Sequence, residues 1–407
     1  MTAKKLIIFI LGMFLFWSCE EANPIRDEGK DVLQVYGTMK SDTLYAVADT
    51  FLIAGKTNTG SSPKLLLGSY NEFEGRFLVK FSSFPDDSIE VESLAIIISA
   101  PGVFGDDINP LTGTVYRVTG TWAEDVNSDA SWDYRSNIDM SPETKAEFTL
   151  SALDTTVYTD YHIDLPVQLI DIWRDTTAGD QNNGLLLDFN GADHIKEFSS
   201  REGLFASRRP RLVYTYRDQT NDTTLHDTVT STLDASLIDY TGTFDRDKIY
   251  VCAGYETDAF FEFKLDSIPN NAYMVSVQFR FTEDSLVSLK NPNRTTEIYL
   301  RNAITGYNEL PAYQLDSTFT ISTNYSVVLT ESSAHILSLR DTRRAVISRA
   351  FIQDIINGFI PNGSFFLQYV SPGNDISLYA IRSTEQATAK DRPHIILEYY
   401  LQTAPRL

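Results

Sequence analysis

Cysteine is nearly absent. The 407 residues contain two, Cys19 and Cys252, so a disulfide-stapled fold is excluded. Histidine is scarce too. His162, His194, His226, His335 and His394 form neither His-x-His nor His-Glu-x-x-His, and without a cysteine pair the chain offers no zinc-site spacing. Positive charge is in short supply: 34 basic residues stand against 55 acidic ones, a net charge of −21. Such a surface repels nucleic acid and anionic membranes at long range and weighs against a polyanionic ligand. No Gly-x-Ser-x-Gly elbow and no phosphate-cradling glycine loop occurs. The carboxylate pairs Asp86-Asp87 and Asp106-Asp107 fall in turn-like stretches and read as solvated turns. The expectation is a protein that is not an enzyme and needs no cofactor.

The apolar run Leu6–Phe16 follows Lys4 and Lys5 and precedes Ser18-Cys19. It is too short to span a bilayer comfortably, and the layout is that of a secretory signal. Cysteine at the cleavage point resembles a bacterial lipobox. That resemblance implies residues 1–18 as a lipoprotein signal peptide, lipidation (palmitate) of Cys19, and 19–31 as a lipidated tether. Glu20 and Glu21 resemble the acidic export signal of surface lipoproteins, which implies a lipid-anchored protein of the outer membrane, facing the cell surface. Cys252, in the apolar run "KIYVCAGY", reads as a buried, inert thiol.

Aromatic residues are plentiful, with 21 Tyr and 24 Phe, and suit strands. A duplication organises them. "FLVKFSSFP" (77–85) and "FEFKLDSIP" (261–269) share one frame: Phe77 matches Phe261, Lys80 matches Lys264, Ser83 matches Ser267 and Pro85 matches Pro269. "IEVESLAIIIS" lies opposite "YMVSVQFRFTE", whose alternation places Tyr273, Val275, Val277, Phe279 and Phe281 on one strand face. Asn183-Gly184 matches Asn362-Gly363, and Ser200, Glu202, Arg209 and Pro210 match Ser383, Glu385, Arg392 and Pro393. Ordered anchors at nearly constant spacing give two copies of one domain, 32–217 and 218–402, with "RDQTNDTTLHDT" (217–228) as a polar linker.

Short apolar strands separated by turn clusters predict an all-β chain of two tandem, jelly-roll-like β-sandwich domains. Each has one short helix, near Pro166–Arg174 and Asp341–Asn357.

The order Arg76, Lys80, Pro85, Trp122, Glu124, Trp132, Asn183, Gly184, Ser200, Glu202, Arg209, Pro210 resembles the DNRLRE-domain family, which is similar to a carbohydrate-binding module of alginate-active proteins. The resemblance implies a sandwich fold and suggests carbohydrate binding. The second copy lacks the Trp-x-Glu element, and "IYLRNAITGYNELPAYQLDS" stands there instead.

Trp122, Glu124, Trp132, Tyr134 and Arg135 are the candidate ligand site, since flat rings stack on sugar C–H faces and charged neighbours hold hydroxyls. The bland alternative is that both Trp are core. Glu202 with Arg209, and Glu385 with Arg392, read as structural ion pairs tying a loop to the last strand. Asp106, Asp107, Asn109, Asp180, Asn182 and Asn183 could supply Ca²⁺ oxygens, but Asp- and Asn-rich turns without metal are the commoner case. The expected function is binding of extracellular polysaccharide, and the alternative is a structural or adhesion scaffold docking a surface protein partner.

Overall fold

The computed structural model describes residues 37–402 apart from short interior stretches, the longest being 304–320. The chain is mostly β, 54% strand and 9% helical, with two α-helices among the described residues, and its all-β character is as its patterning predicts. The first strand is β1 (Gly37–Lys56). Next come β2 (Lys64–Tyr70), β3 (Phe73–Phe81), β4 (Val91–Ala100), β5 (Gly102–Phe104), β6 (Leu111–Val118), β7 (Ile138–Asp139), β8 (Ala146–Leu150), β9 (Thr159–Leu165), β10 (Leu185–Phe189), β11 (Ile195–Ser199), β12 (Arg211–Asp218) and β13 (Thr223–Tyr240). The remainder holds β14 (Ile249–Cys252), β15 (Tyr255–Phe263), β16 (Ala272–Thr282), β17 (Glu297–Ala303), β18 (Ile321–Glu331), β19 (Ile336–Ser338), β20 (Ser364–Tyr369), β21 (Leu378–Ile381) and β22 (His394–Gln402). Helix α1 (Gln168–Arg174) belongs to the first copy and α2 (Thr342–Ile356) to the second.

All pairing within the ladders is antiparallel. In the first sandwich one sheet runs β13–β12–β4–β9, and the other centres on β3, which pairs with β2, β10 and β13. Between them lie Leu65, Phe77, Val79, Ile96, Leu185, Phe198 and Leu212, all fully buried. The stretches Phe77-Leu78-Val79 and Leu185-Leu186-Leu187 are continuously apolar because their sheet is covered on both faces. Leu78 and Leu186 point away from that core into a second, smaller cluster.

The strand allocation departs from the boundary expected at 217/218. β13 lies in the second copy by sequence, yet its first half pairs with β12 and its second half with β3, completing the first sandwich. β1 lies in the first copy by sequence, yet it pairs with β22 and then with β15, completing the second. The folded units are therefore 64–240 and 249–402 plus 37–56. The supposed linker 217–228 is largely strand. Its polarity reflects an edge position: residues 223–228 are exposed on β13, which pairs only with β12 there. In the second unit β1 closes a ring, β1–β22–β16–β19–β18–β17–β20–β15–β1.

The two sandwiches share a seam. Leu66, Phe73, Phe104, Ile195 and Ile238 of the first belong to one buried cluster with Phe51, Tyr250 and Val251 of the second. Ring contacts continue it, Phe73–Tyr240 at 4.9 Å, Tyr240–Phe244 at 4.7 Å and Phe51–Tyr250 at 5.2 Å. The β1–β2 connection is fixed as well. Asn127 Nδ2 donates to Thr57 O (2.6 Å), Ile238 N donates to Asn127 Oδ1 (2.8 Å), and Thr59 Oγ1 donates to Ser236 O (2.5 Å).

The duplication is legible in three dimensions. A Cβ on Gly184 would stand 2.2 Å from Val79 O, and one on Gly363 2.3 Å from Phe263 O, so the two glycines pass against equivalent points of β3 and β15. Gly184 also sits at φ +79°, which favours glycine.

Candidate functional site

The loop between β6 and β8 carries the five residues singled out above, and it covers the outer face of the β3 sheet. Trp122 and Trp132 are half-buried against Leu78, Val118, Leu186 and Leu237. Trp122 Nε1 donates to Asn183 O (2.8 Å) and Trp132 Nε1 to Thr121 O (3.1 Å). Both indoles thus anchor the loop. Tyr134 is buried, and the guanidinium of Arg76 sits 5.0 Å from its ring centre. Trp132, Tyr134 and the exposed Arg135 border one small polar cleft with Lys56, Asp129, Asp133 and Asp239. Trp122 and Glu124 lie outside it, and Glu124 is paired with Arg201. Replacing Trp122 by Ala should therefore destabilise the first sandwich by about 2 kcal/mol in urea denaturation, the cost of removing a part-buried ring and orphaning the Asn183 carbonyl. A variant of unchanged stability would contradict the anchoring role.

The Ser-x-Glu and Arg-Pro motifs do not form the expected ion pairs. Glu202 pairs with Arg201 (2.6 Å) instead of Arg209, and Arg392 Nε donates to Gln386 O (2.6 Å) instead of Glu385. The serines do cap the turns, since Glu202 N donates to Ser200 Oγ (3.0 Å) and Glu385 N to Ser383 Oγ (3.3 Å). The residue between Ser and Glu exposes a backbone N–H, and the exchanged strand supplies its acceptor. Arg201 N donates to Asp234 Oδ2 of β13 (2.6 Å), and Thr384 N donates to Asp49 Oδ2 of β1 (2.5 Å). The repeated motif is a clasp for the exchanged strand. Alternation along the sequence cannot reveal this, because the partner lies on the other copy's segment.

These clasps carry a pH dependence. Burial pushes the Asp234 carboxyl up to about 7, and burial likewise raises Asp49. In the second sandwich burial pushes Asp258 up to about 7, against the hydrogen bond from Gln368. Each is protonated when folded over a range where the unfolded chain is ionised, so its contribution to stability is fully present below about pH 4 and is lost as pH rises from there through 7. The expected loss between pH 5 and pH 8 is roughly 2–3 kcal/mol for each of Asp234 and Asp258 by urea denaturation, and Asp234→Asn should remove the first sandwich's share and leave that of Asp258.

The oxygen-rich turns have other duties. Asp86, Asp87, Asp107 and Asp180 fall outside the described residues, as do Cys19 and the signal. Asn109 donates to Asp193 (2.8 Å), Asn182 to Phe81 O (2.6 Å) and Asn183 to Thr119 O (2.9 Å). Among the described residues no cluster of three His, Cys, Asp or Glu side chains could hold a metal, and no helix is long and apolar enough to cross a membrane.

A larger groove of about 340 Å³ lies elsewhere, across the outer face of the β13–β12–β4–β9 sheet. Register puts Asp164, Ala95, Val213 and Thr228 in one row over four strands, and Ser93, Thr215 and His226 in the next. Small side chains make the floor. His162 and Asp164 on β9 form one wall, and His226 on β13 forms the other, about 14 Å away at three strand spacings. The Ser93 and Thr215 hydroxyls meet at 2.7 Å. Neither histidine is recognisable as a site residue in the linear sequence, because their proximity depends on β13 joining this sheet.

No family model matches the chain, and no curated protein matches it. Among solved structures it is aligned with "Structure of the Macrobrachium rosenbergii Nodavirus" at 8% identity over 89% of each chain, with a TM-score of 0.12. A score that low carries no argument about fold or function.

Proposed function

We propose that the protein is a non-catalytic polysaccharide-binding lipoprotein, held at the outer membrane through Cys19, that lays a glycan along the outer face of its first sandwich. One observation carries the reading: the groove of about 340 Å³ between His162 and His226. Its volume lies within the range of small-ligand sites, roughly 300–1,000 Å³. Its floor is small and apolar, and its rim offers hydroxyl, imidazole and carboxylate groups suited to sugar hydroxyls. The order of motifs resembling the DNRLRE-domain family supports the same class. The site differs from the tryptophan loop, whose two indole N–H groups are already spent on backbone carbonyls. That same pinning favours a second reading, a scaffold that docks a surface protein.

The test is native affinity electrophoresis of the full-length protein through gels containing laminarin, xylan, galactomannan or alginate. Retardation by one polysaccharide, lost in Val213→Trp, which fills the groove, is the expected result. Free migration through the whole panel by a folded protein sinks the glycan reading in favour of the scaffold.

A further inference from the structure

The second sandwich has an open face in the equivalent place, and it is built differently. Strand β16 reads as a strict alternation with Tyr273 on the core side, but the ladder with β22 contains a register shift between Met274 and Ser276. Before the shift Met274 faces the core at 1% exposure, and after it Val277 does so at 2%. Tyr273 is thereby turned outward, 49% exposed. Bulges re-aim side chains in this way and are often retained for it. Tyr273 stands directly opposite Tyr400 on β22, which stands opposite Met39 on β1. Six residues further along β1, about 20 Å away, Tyr45 stands opposite His394 with ring centres 5.5 Å apart.

Between these two apolar ends the same face carries Ser41, Thr43, Glu398, Gln278 and, beside His394, Arg280. One carboxylate and one guanidinium balance each other on a chain of net charge −21. The geometry points to this face as a second binding surface, for a neutral polysaccharide chain whose sugar rings stack on Tyr273–Tyr400 at one end and Tyr45 at the other. Three features select that occupant. Flat rings spaced along a strand match a repeating ligand. A charged residue in the middle disfavours the centre of a protein interface, which is depleted in charge. A balanced patch on an acidic chain gives a polyanion nothing to offset long-range repulsion. The inference rests on the polysaccharide reading above and adds a second surface and the charge class of the ligand. Two surfaces on one chain raise avidity for long polysaccharides without new contacts.

The same electrophoresis decides it, with the full-length double variant Tyr273→Ala/Tyr400→Ala, run below its melting temperature because Tyr400 is half-buried and its removal lowers stability somewhat. The expected result is retardation by neutral laminarin, xylan or galactomannan, unchanged by salt and weakened at least tenfold in the double variant. Unchanged retardation in the double variant, with loss in Val213→Trp, overturns the second surface and leaves the first standing. Retardation only by alginate, abolished by salt, overturns the neutral class. A concentration-dependent dimer in sedimentation velocity that the double variant dissolves assigns the face to self-association instead. No retardation of the parent by any polysaccharide removes both surfaces together.

Discussion

Removing residues 1–56 should unfold the second sandwich while leaving the first with its own strands complete. The lost strand β1 is central to that unit, paired to β22 along 37–45 and to β15 along 46–56. It buries Phe51, Leu52 and Ala46, and its Asp49 is the acceptor of the Thr384 clasp. Burial of the two large side chains is worth about 1.5–3 kcal/mol each, before the ladders are counted. The sum approaches the whole stability of a domain, about 5–15 kcal/mol. Two reporters separate the units. Trp122, Trp132 and Trp173 all lie in the first sandwich, so their emission should stay near that of the intact chain. Cys252 lies fully buried in the second, and burial raises its thiol pKa, so it should resist a thiol reagent in the intact protein. In the truncated chain Cys252 is the sole remaining thiol and should label at least a hundredfold faster. A synthetic peptide of residues 37–56 added in trans should restore protection. Unaltered protection without the peptide would mean that β1 is dispensable to the second unit.

Arg76→Ala should cost about 3–5 kcal/mol, the typical penalty for breaking a buried ion network. The Arg76 side chain is 8% exposed, with Nε 2.6 Å from Asp188, Nη2 2.9 Å from Glu74 and Nη1 3.6 Å from Asp239. Its guanidinium also lies over the rings of Tyr134 and Phe189, at 5.0 and 4.7 Å. Asp239 comes from the exchanged strand and is paired in turn with Lys56 of β1 (2.5 Å). One arginine therefore ties β3, β10 and β13 to the tryptophan loop. Arg76→Lys keeps the charge but not the planar fork, so it should recover less than half of the loss. Urea denaturation followed by tryptophan emission measures both. A loss under 1 kcal/mol for the alanine variant would mean that the carboxylates relax into water and the network is not structural.

The site residues were legible in part. Composition pointed to strand-rich aromatics, the motif order picked out Trp122 and Trp132, and Tyr134 was added as their neighbour; all three pack in one cluster. Their role was not legible, because a half-buried ring and an exposed one look alike in sequence. The difference lies in the Asn183 and Thr121 carbonyls that accept the indole protons. Tyr273 was misplaced for a related reason. Alternation assumes an unbroken ladder, and a single bulge inverts every facing before it.

What the sequence by itself determined was the all-β class, the duplication, the two helices and the turn glycines. These follow from local rules: side-chain period, the φ values only glycine adopts without strain, and the recurrence of the same anchors. What only the tertiary structure decided was which strand completes which sandwich. β1 and β13 occupy equivalent places in the two copies and carry the same polar-edge, apolar-end pattern, so either satisfies either gap locally. The choice is made by connections and by the seam. A short hairpin keeps β13 beside β12, and the packing of Thr57 and Thr59 against Asn127 and Ser236 commits β1 to the far unit. Strand partnership is a property of the whole chain's path, and no window of sequence contains it.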